Sequence, residues 1–197
     1  MADSLAPAEV LPLLSGDFGQ VYRYEELCPS TQRLLRRDDP EGAVAVAEEQ
    51  SEGRGRLGRS WQAPARTSVL VSVLLRPEVE PQRLPELSLV AGGAVAQAIA
   101  EITGLEPAIK FPNDVLLEGR KVAGILAESS DGQVVLGIGV NANQTAEQLP
   151  PDAQTEPTSL RLELGRPVGR PELLAAILRQ VEQTYGAWVS RGTSASG

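Results

Sequence analysis

The run Arg120-Lys121-Val122-Ala123-Gly124-Ile125-Leu126-Ala127-Glu128-Ser129-Ser130-Asp131-Gly132-Gln133-Val134-Val135-Leu136-Gly137-Ile138-Gly139-Val140-Asn141-Ala142-Asn143 decides the fold. Two β-rich halves flank Asp131-Gly132, a dipeptide suited to the positive φ angles of a two-residue hairpin turn. Upstream, Ala108 to Leu117 reads as one further strand, turning through Glu118-Gly119, so residues 108–143 form a β-meander. Gly124, Gly137 and Gly139 lie inside these strands, where glycine weakens pairing unless something must pass close to the backbone. Their placement implies a ligand lying across the sheet.

Outward from the meander, Ala43-Val44-Ala45-Val46-Ala47 is a continuous apolar run, as expected of a strand buried on both faces. It leads through Glu48-Glu49-Gln50 into Gly53-Arg54-Gly55-Arg56-Leu57-Gly58-Arg59-Ser60-Trp61. Glycines let backbone amides approach a ligand, and arginines supply forked donors matching carboxylate and phosphate oxygens. The expected behaviour is a loop mobile when empty and closed over an anionic ligand. Such Arg-Gly segments also occur as solvated turns or as sequence-tolerant nucleic-acid contacts. Val21–Leu27 and Thr67–Leu75 read as further strands. Ser30 or Thr31 is suited to cap a helix running to about Arg37. Apolar residues recur at helical spacing over Leu84–Ile102 and again over Pro171–Arg191. In the first of these helices, Gly92 and Gly93 are expected to permit close packing on the sheet. Residues 144–170 read as irregular, and residues 1–20 as a loosely attached lead-in to a single domain over 21–197.

Composition narrows the function. The chain has 197 residues, 42% of them apolar, and a net charge of −8, which argues against a general nucleic-acid-binding surface. A basic loop on an acidic body points instead to a focused anion site. There is no histidine, and the single cysteine, Cys28, excludes an intrachain disulfide. Neither a signal peptide nor a membrane-length apolar run is present, so a cytoplasmic protein without membrane contact is expected. Of 18 basic residues only Lys110 and Lys121 are lysines, which suggests positions where a compact ammonium is wanted. No activated nucleophile is apparent, leaving catalysis by positioning and electrostatic stabilisation. That suffices for attack of a carboxylate on the α-phosphate of ATP.

Five segments in order resemble the biotin–protein ligases. The family's glycine-arginine loop ending in tryptophan stands at Gly53–Trp61, and its Lys-Trp-Pro-Asn-Asp motif at Lys110-Phe111-Pro112-Asn113-Asp114. Arg-Lys-x-x-Gly-Ile-Leu-x-Glu is matched from Arg120 to Glu128, Gly-Ile-Gly-x-Asn from Gly137 to Asn141, and a Ser-Thr-Asn element by Ser30-Thr31-Gln32. The resemblance implies an α+β fold: a mixed, largely antiparallel sheet with helices packed against it, as in class II synthetases. It implies joining of biotin to ATP as biotinyl-5′-AMP and transfer to a lysine of the biotin carboxyl carrier protein of acetyl-CoA carboxylase. Ser30, Thr31, Gln32, Gln50, Arg54, Gly55, Arg56, Lys121 and Gly124 would contact biotin. Arg54, Arg56, Arg59, Trp61, Lys110, Asn113 and Asn141 would contact ATP, the two asparagines also being candidates for its Mg²⁺. Lys121, Arg56 and Asp114 would be catalytic.

The rival readings are a lipoate–protein ligase, whose Arg-Arg-x-Ser-Gly-Gly-Gly loop is absent here, and a non-catalytic anion- or RNA-binding module. Departures from the family pattern are Phe111 for tryptophan, Gln32 for asparagine, and Ala63-Pro64-Ala65-Arg66 for Ser-Pro-x-Gly. No winged-helix segment precedes residue 20, so no DNA partner is expected. Where many relatives continue into a C-terminal β-barrel, this sequence ends at Gly197, and weaker carrier docking with intact adenylation is expected. The loop reading predicts fast tryptic cleavage at Arg54, Arg56 or Arg59 without ligand and protection by biotin; equal rates in both states would refute loop closure.

Overall fold

The computed structural model describes residues 3–151 and 153–193. Among these, seven strands form one sheet: β1 Tyr22–Cys28, β2 Val44–Gln50, β3 Ser68–Leu75, β4 Ala108–Lys110, β5 Asp114–Leu117, β6 Arg120–Ser130 and β7 Gln133–Asn141. Their order is β1-β2-β3-β7-β6-β5-β4. Only β1 and β2 run parallel, and every other neighbouring pair is antiparallel. The expected meander is β4 to β7, except that its first strand is interrupted by a turn at residues 111–113 and forms the pair β4 and β5. Its two tight turns have positive φ at both central residues, 48° and 78° at Glu118-Gly119 and 50° and 77° at Asp131-Gly132. That backbone matches the right-handed twist of the strands it joins.

Helices α1 Pro7–Val10, α2 Leu87–Thr103, α3 Leu160–Leu164 and α4 Arg170–Thr193 complete the fold. α2 and α4 lie together and bury Ala94, Val95, Ala98, Leu174, Ile177 and Val181 with Val44, Val46, Val71, Val73, Ile125, Leu136 and Val140 of the sheet. Alternation along the strands then sends Leu70, Ser72, Gly137 and Gly139 to the other face, where they line a cavity. One face of the sheet is core and the other is site. Gly104 ends α2 in the left-handed region at φ 74°, its N–H bonded to Ala100 O at 2.8 Å.

Four further expectations are corrected. The helix from Ser30 or Thr31 to Arg37 is a single 3₁₀ turn, Thr31–Arg33, with no side-chain cap. Asp39 diverts the chain after it: the carboxylate accepts Arg36 N–H at 2.8 Å and pairs with Arg23 at 2.5 Å. Residues 144–170 are more ordered than expected, holding a 3₁₀ turn at Ala146–Gln148 and α3, whose N-terminus is capped by Ser159. Gly92 and Gly93 are not demanded by packing, since a Cβ at either would meet Ile109 or Ile125 only at ordinary contact distance, 3.7–3.9 Å. Residues 3–20 are not loosely attached, because Leu5, Val10 and Phe18 are buried in the main core.

The N-terminal segment is held by a buried ionic cluster. Arg170 and Glu48 are both fully buried, with Arg170 Nη1 2.7 Å from Glu48 Oε2. The same nitrogen donates to Ser68 O at 3.0 Å, and Arg170 Nε to Asp3 Oδ2 at 3.0 Å. Glu48 Oε1 accepts Leu5 N–H at 2.8 Å, so the carboxylate is shared between the lead-in and α4. The Arg66 departure is accommodated near the same strand. Arg66 takes the left-handed turn at φ 62° that glycine would adopt freely, while its guanidinium reaches both carboxylate oxygens of Glu26 at 2.8 Å. Arg170→Met strands Glu48 as an uncompensated buried charge and is expected to lower unfolding stability by about 3–5 kcal/mol in urea titration; a loss under about 1 kcal/mol would refute this account.

Candidate functional site

A cavity of about 610 Å³ lies between the helix-free face of the sheet, the Gly53–Trp61 loop and a strap formed by residues 150, 151 and 153–157. Its inner end is uncharged and polar. Gln50 Oε1 accepts from Thr31 N at 2.8 Å and from Thr31 Oγ1 at 3.1 Å, and Thr31 Oγ1 lies 2.8 Å from Ser72 Oγ. These bonds fix the Gln50 amide and leave its Nε2 as a donor. Ser30, almost fully buried, stands beside them. Gln32 is the exception: its Nε2 and Oε1 are both buried without a hydrogen-bond partner. A buried amide left unsatisfied costs free energy, and the cost is recovered when a ligand supplies complementary groups.

The loop forms the cavity roof by pairing with itself. Gly55 N–H donates to Arg59 O at 2.7 Å, and Trp61 N–H to Gly53 O at 2.9 Å. Trp61 then lays its indole on the sheet. A Cβ at Gly139 would fall 2.6 Å from that ring, and one at Gly124 2.9 Å from it. A Cβ at Gly137 would come within 3.2 Å of Gln32 Nε2. The strand glycines therefore do serve close approach, but the groups resting on them here are the Trp61 and Gln32 side chains. Trp61 Nε1 is buried and unpartnered.

Cations gather at the other end. Lys121 Nζ is 2.7 Å from Asp114 Oδ1 and 5.6 Å from the Trp61 ring centroid. Main-chain bonds from Lys121 N to Glu156 O at 2.7 Å and from Thr158 N to Lys121 O at 2.8 Å anchor this lysine to the strap. Arg56 Nη1 donates to Asn113 Oδ1 at 3.3 Å, and Asn113 Nδ2 to Ile125 O at 3.0 Å. Arg54 pairs with Glu128 at 3.0 Å, and Arg59 Nη1 donates to Gln154 Oε1 at 2.7 Å. Cys28 is a spectator, its thiol pushed up to about 11 by burial.

Of the residues singled out in the sequence, Ser30, Thr31, Gln32, Gln50, Arg54, Gly55, Arg56, Arg59, Trp61, Asn113, Asp114, Lys121, Gly124 and Asn141 all line this cavity. Lys110 does not; its Nζ donates to Thr155 Oγ1 at 3.0 Å on the surface. Asn141 is present but committed, donating to Thr158 O and accepting from Gln144 Nε2, each at 3.0 Å. Its amide braces the chain at Thr158, spending one of its two N–H donors and its oxygen on the protein itself. Ser72 and Gln154 were not foreseen. Ser72, the single polar residue amid Val69–Leu75, carried a signal; Gln154, in an irregular segment, carried none.

Among the described residues, no group of three or more His, Cys, Asp or Glu side chains is placed to hold a metal. Asn113 and Asp114, already bonded to Arg56 and Lys121, do not amount to a protein cage. Chemically, the cavity can hold an elongated molecule by an uncharged polar head at Gln32 and Gln50 and by anionic oxygens at Arg56 and Lys121. No helix among the described residues is long and apolar enough to cross a membrane.

Comparison with known proteins agrees with this geometry. The model of the Biotin/lipoate A/B protein ligase family matches residues 24–144. The Biotin--[acetyl-CoA-carboxylase] ligase of Mycobacterium tuberculosis is 43% identical over 157 residues, covering 76% of this chain and 56% of that protein. The bifunctional ligase/repressor BirA of Bacillus subtilis is 36% identical over 183 residues, covering 88% of this chain and 56% of that protein. The chain thus spans a little over half the length of these relatives. The biotin protein ligase from Aquifex aeolicus in complex with biotin and ATP superposes with a TM-score of 0.79 at 32% identity, over 88% of this chain and 73% of that one. With cavity, glycine-floored sheet and motif order in agreement, this chain belongs to the biotin/lipoate A/B protein ligase family, among the biotin–protein ligases.

Proposed function

We propose that this protein is a biotin–[acetyl-CoA-carboxylase] ligase, which joins biotin to ATP as biotinyl-5′-AMP and passes the biotinyl group to a lysine of a biotin carboxyl carrier protein. The observation that carries the reading is the buried, unpartnered Gln32 amide at the neutral end of a cavity whose far end is cationic. A cyclic urea offers the donors and acceptor that this amide, Gln50 Nε2 and Ser30 Oγ lack, and a valerate carboxylate is an anion of the kind the cations would take. Residues 21–197 would be the catalytic unit, with residues 3–20 packed onto it.

In the first step a biotin carboxylate oxygen attacks the α-phosphorus of the Mg²⁺ complex of ATP. The bond from that phosphorus to the bridging oxygen breaks, and pyrophosphate leaves. Negative charge grows on the α-phosphate oxygens, and Lys121 with Arg56 stabilises it. Their contribution is large because Asp114 and Asn113 hold both cations in place beforehand. Arg54, Gly55, Arg59 and Trp61 close the roof and exclude water, which would otherwise hydrolyse the mixed anhydride. In the second step the carrier's lysine nitrogen attacks the acyl carbon and AMP leaves. Asp114, at the same end, is the group to orient the amine or take its proton. Lys110 and Asn113 border the nucleotide side, Asn141 supporting it through the strap.

Lys121→Met should keep the fold and slow biotin-dependent pyrophosphate release by roughly two to three orders of magnitude, the scale of losing one key electrostatic donor. Stopped-flow pyrophosphate detection with biotin, and with lipoate as control, checks it. Near-normal release in the variant, or equal turnover of lipoate by the unmodified chain, would overturn the assignment.

A further inference from the structure

Two large apolar side chains project into solvent beside the cavity: Leu57 is 90% exposed and Phe111 78%. They sit on different elements, the roof loop and the turn between β4 and β5. The hydrogen bond from Arg56 Nη1 to Asn113 Oδ1 joins those elements, one residue from Leu57 and two from Phe111. Both therefore flank the cavity rim, and neither belongs to its lining.

Leu57 is also held in an unfavourable backbone conformation. Its φ is 58°, in the left-handed region, between Arg56 and a glycine that itself sits at φ 75°. A branched side chain is disfavoured there, and burial does not compensate it, since no apolar surface covers it. Backbone strain combined with full exposure of an apolar group marks a contact made by something outside the chain. The rim around it is basic, with Arg54, Arg56, Arg59 and Lys110, although the chain as a whole carries −8.

We propose that Leu57 and Phe111 are the apolar anchors that dock the acceptor, an acidic folded domain presenting a lysine on an exposed turn. The proposal rests on the ligase reading above and names the surface used in its second step. A domain delivering a lysine to the acyl carbon must cover the rim, and there it meets two apolar knobs inside a basic ring. Apolar anchors at the centre with charges around them is the arrangement that concentrates binding energy in a few residues and leaves steering to the rim.

The test compares two acceptors of the same adenylate. A purified biotin carboxyl carrier domain needs docking; hydroxylamine does not, since its nitrogen attacks the same acyl carbon and expels AMP unaided. Leu57→Gly and Leu57→Asn remove the knob and suit the left-handed turn; Phe111→Ser removes the other. Each variant is expected to raise KM for the carrier domain at least roughly ten-fold, the scale of truncating an interface anchor. Adenylate formation and transfer to hydroxylamine should stay within about two-fold of the unmodified chain, and the carrier KM should rise with salt. Unchanged carrier KM overturns the docking pair alone. An equal loss with hydroxylamine overturns it too, placing these residues in the chemistry. A change of oligomer mass by light scattering without a carrier effect assigns the knobs to a second copy of the chain. No biotin-dependent pyrophosphate from the unmodified chain overturns both readings.

Discussion

The fully buried contact between Arg170 and Glu48 fastens together parts that are remote in sequence. Glu48 lies two residues before Gln50, at the end of the strand that delivers the roof loop, while Arg170 opens the long C-terminal helix. The lead-in joins through Asp3 and Leu5, and β3 through Ser68 O. A buried ion pair is poor evidence of net stabilisation, since desolvation offsets much of its attraction. Its use here is positional: only one arrangement of four segments leaves neither charge unpaired. The neutral end of the cavity is built on that fixed strand.

The two faces of the sheet divide the labour. On the helix side, packing of apolar side chains gives rigidity at no cost in specificity. On the other side, three glycines and Ser72 hollow the surface, and the space is taken by side chains with unspent hydrogen-bonding capacity. Gln32 and Trp61 are strained in this sense, polar atoms buried with nothing to bond. The cationic end is the reverse: Lys121, Arg54 and Arg56 each have a partner already, so their positions are set before any anion arrives. One end gains by binding and the other is preorganised for charge.

Much of this was legible in the residues. Both hairpins of the meander were announced by Glu118-Gly119 and Asp131-Gly132, because type I′ turns demand positive φ and few dipeptides supply it. The two long helices followed from period alone. What escaped was governed by tertiary contacts. Residues 31–37 have helical composition, yet Asp39 finds Arg23 on β1, a partner no local pattern reveals. Leu5 and Val10 look like an unanchored lead-in until Glu48 and Arg170 are seen across the core. At the site, every residue singled out in the sequence except Lys110 lines the cavity, whereas the placing of Asn141 and Lys110 depended on the strap, whose fold rests on main-chain bonds to Lys121. The strand glycines were read as sites of close approach, and in the empty cavity the side chains resting on them are those of Trp61 and Gln32.

The scarcity of lysine has a chemical consequence. A mixed anhydride acylates any nearby amine, so a chain that made one, as proposed above, would be exposed to its own product. Of the 18 basic residues, 16 are arginines, whose guanidinium groups stay protonated and do not attack an acyl carbon. Of the two lysines, Lys121 is clasped by Asp114 and Lys110 is engaged with Thr155 outside the cavity. Under that proposal, a surface so poor in free amines would make the arginine-rich composition a form of self-protection, leaving the visiting lysine as the best nucleophile within reach.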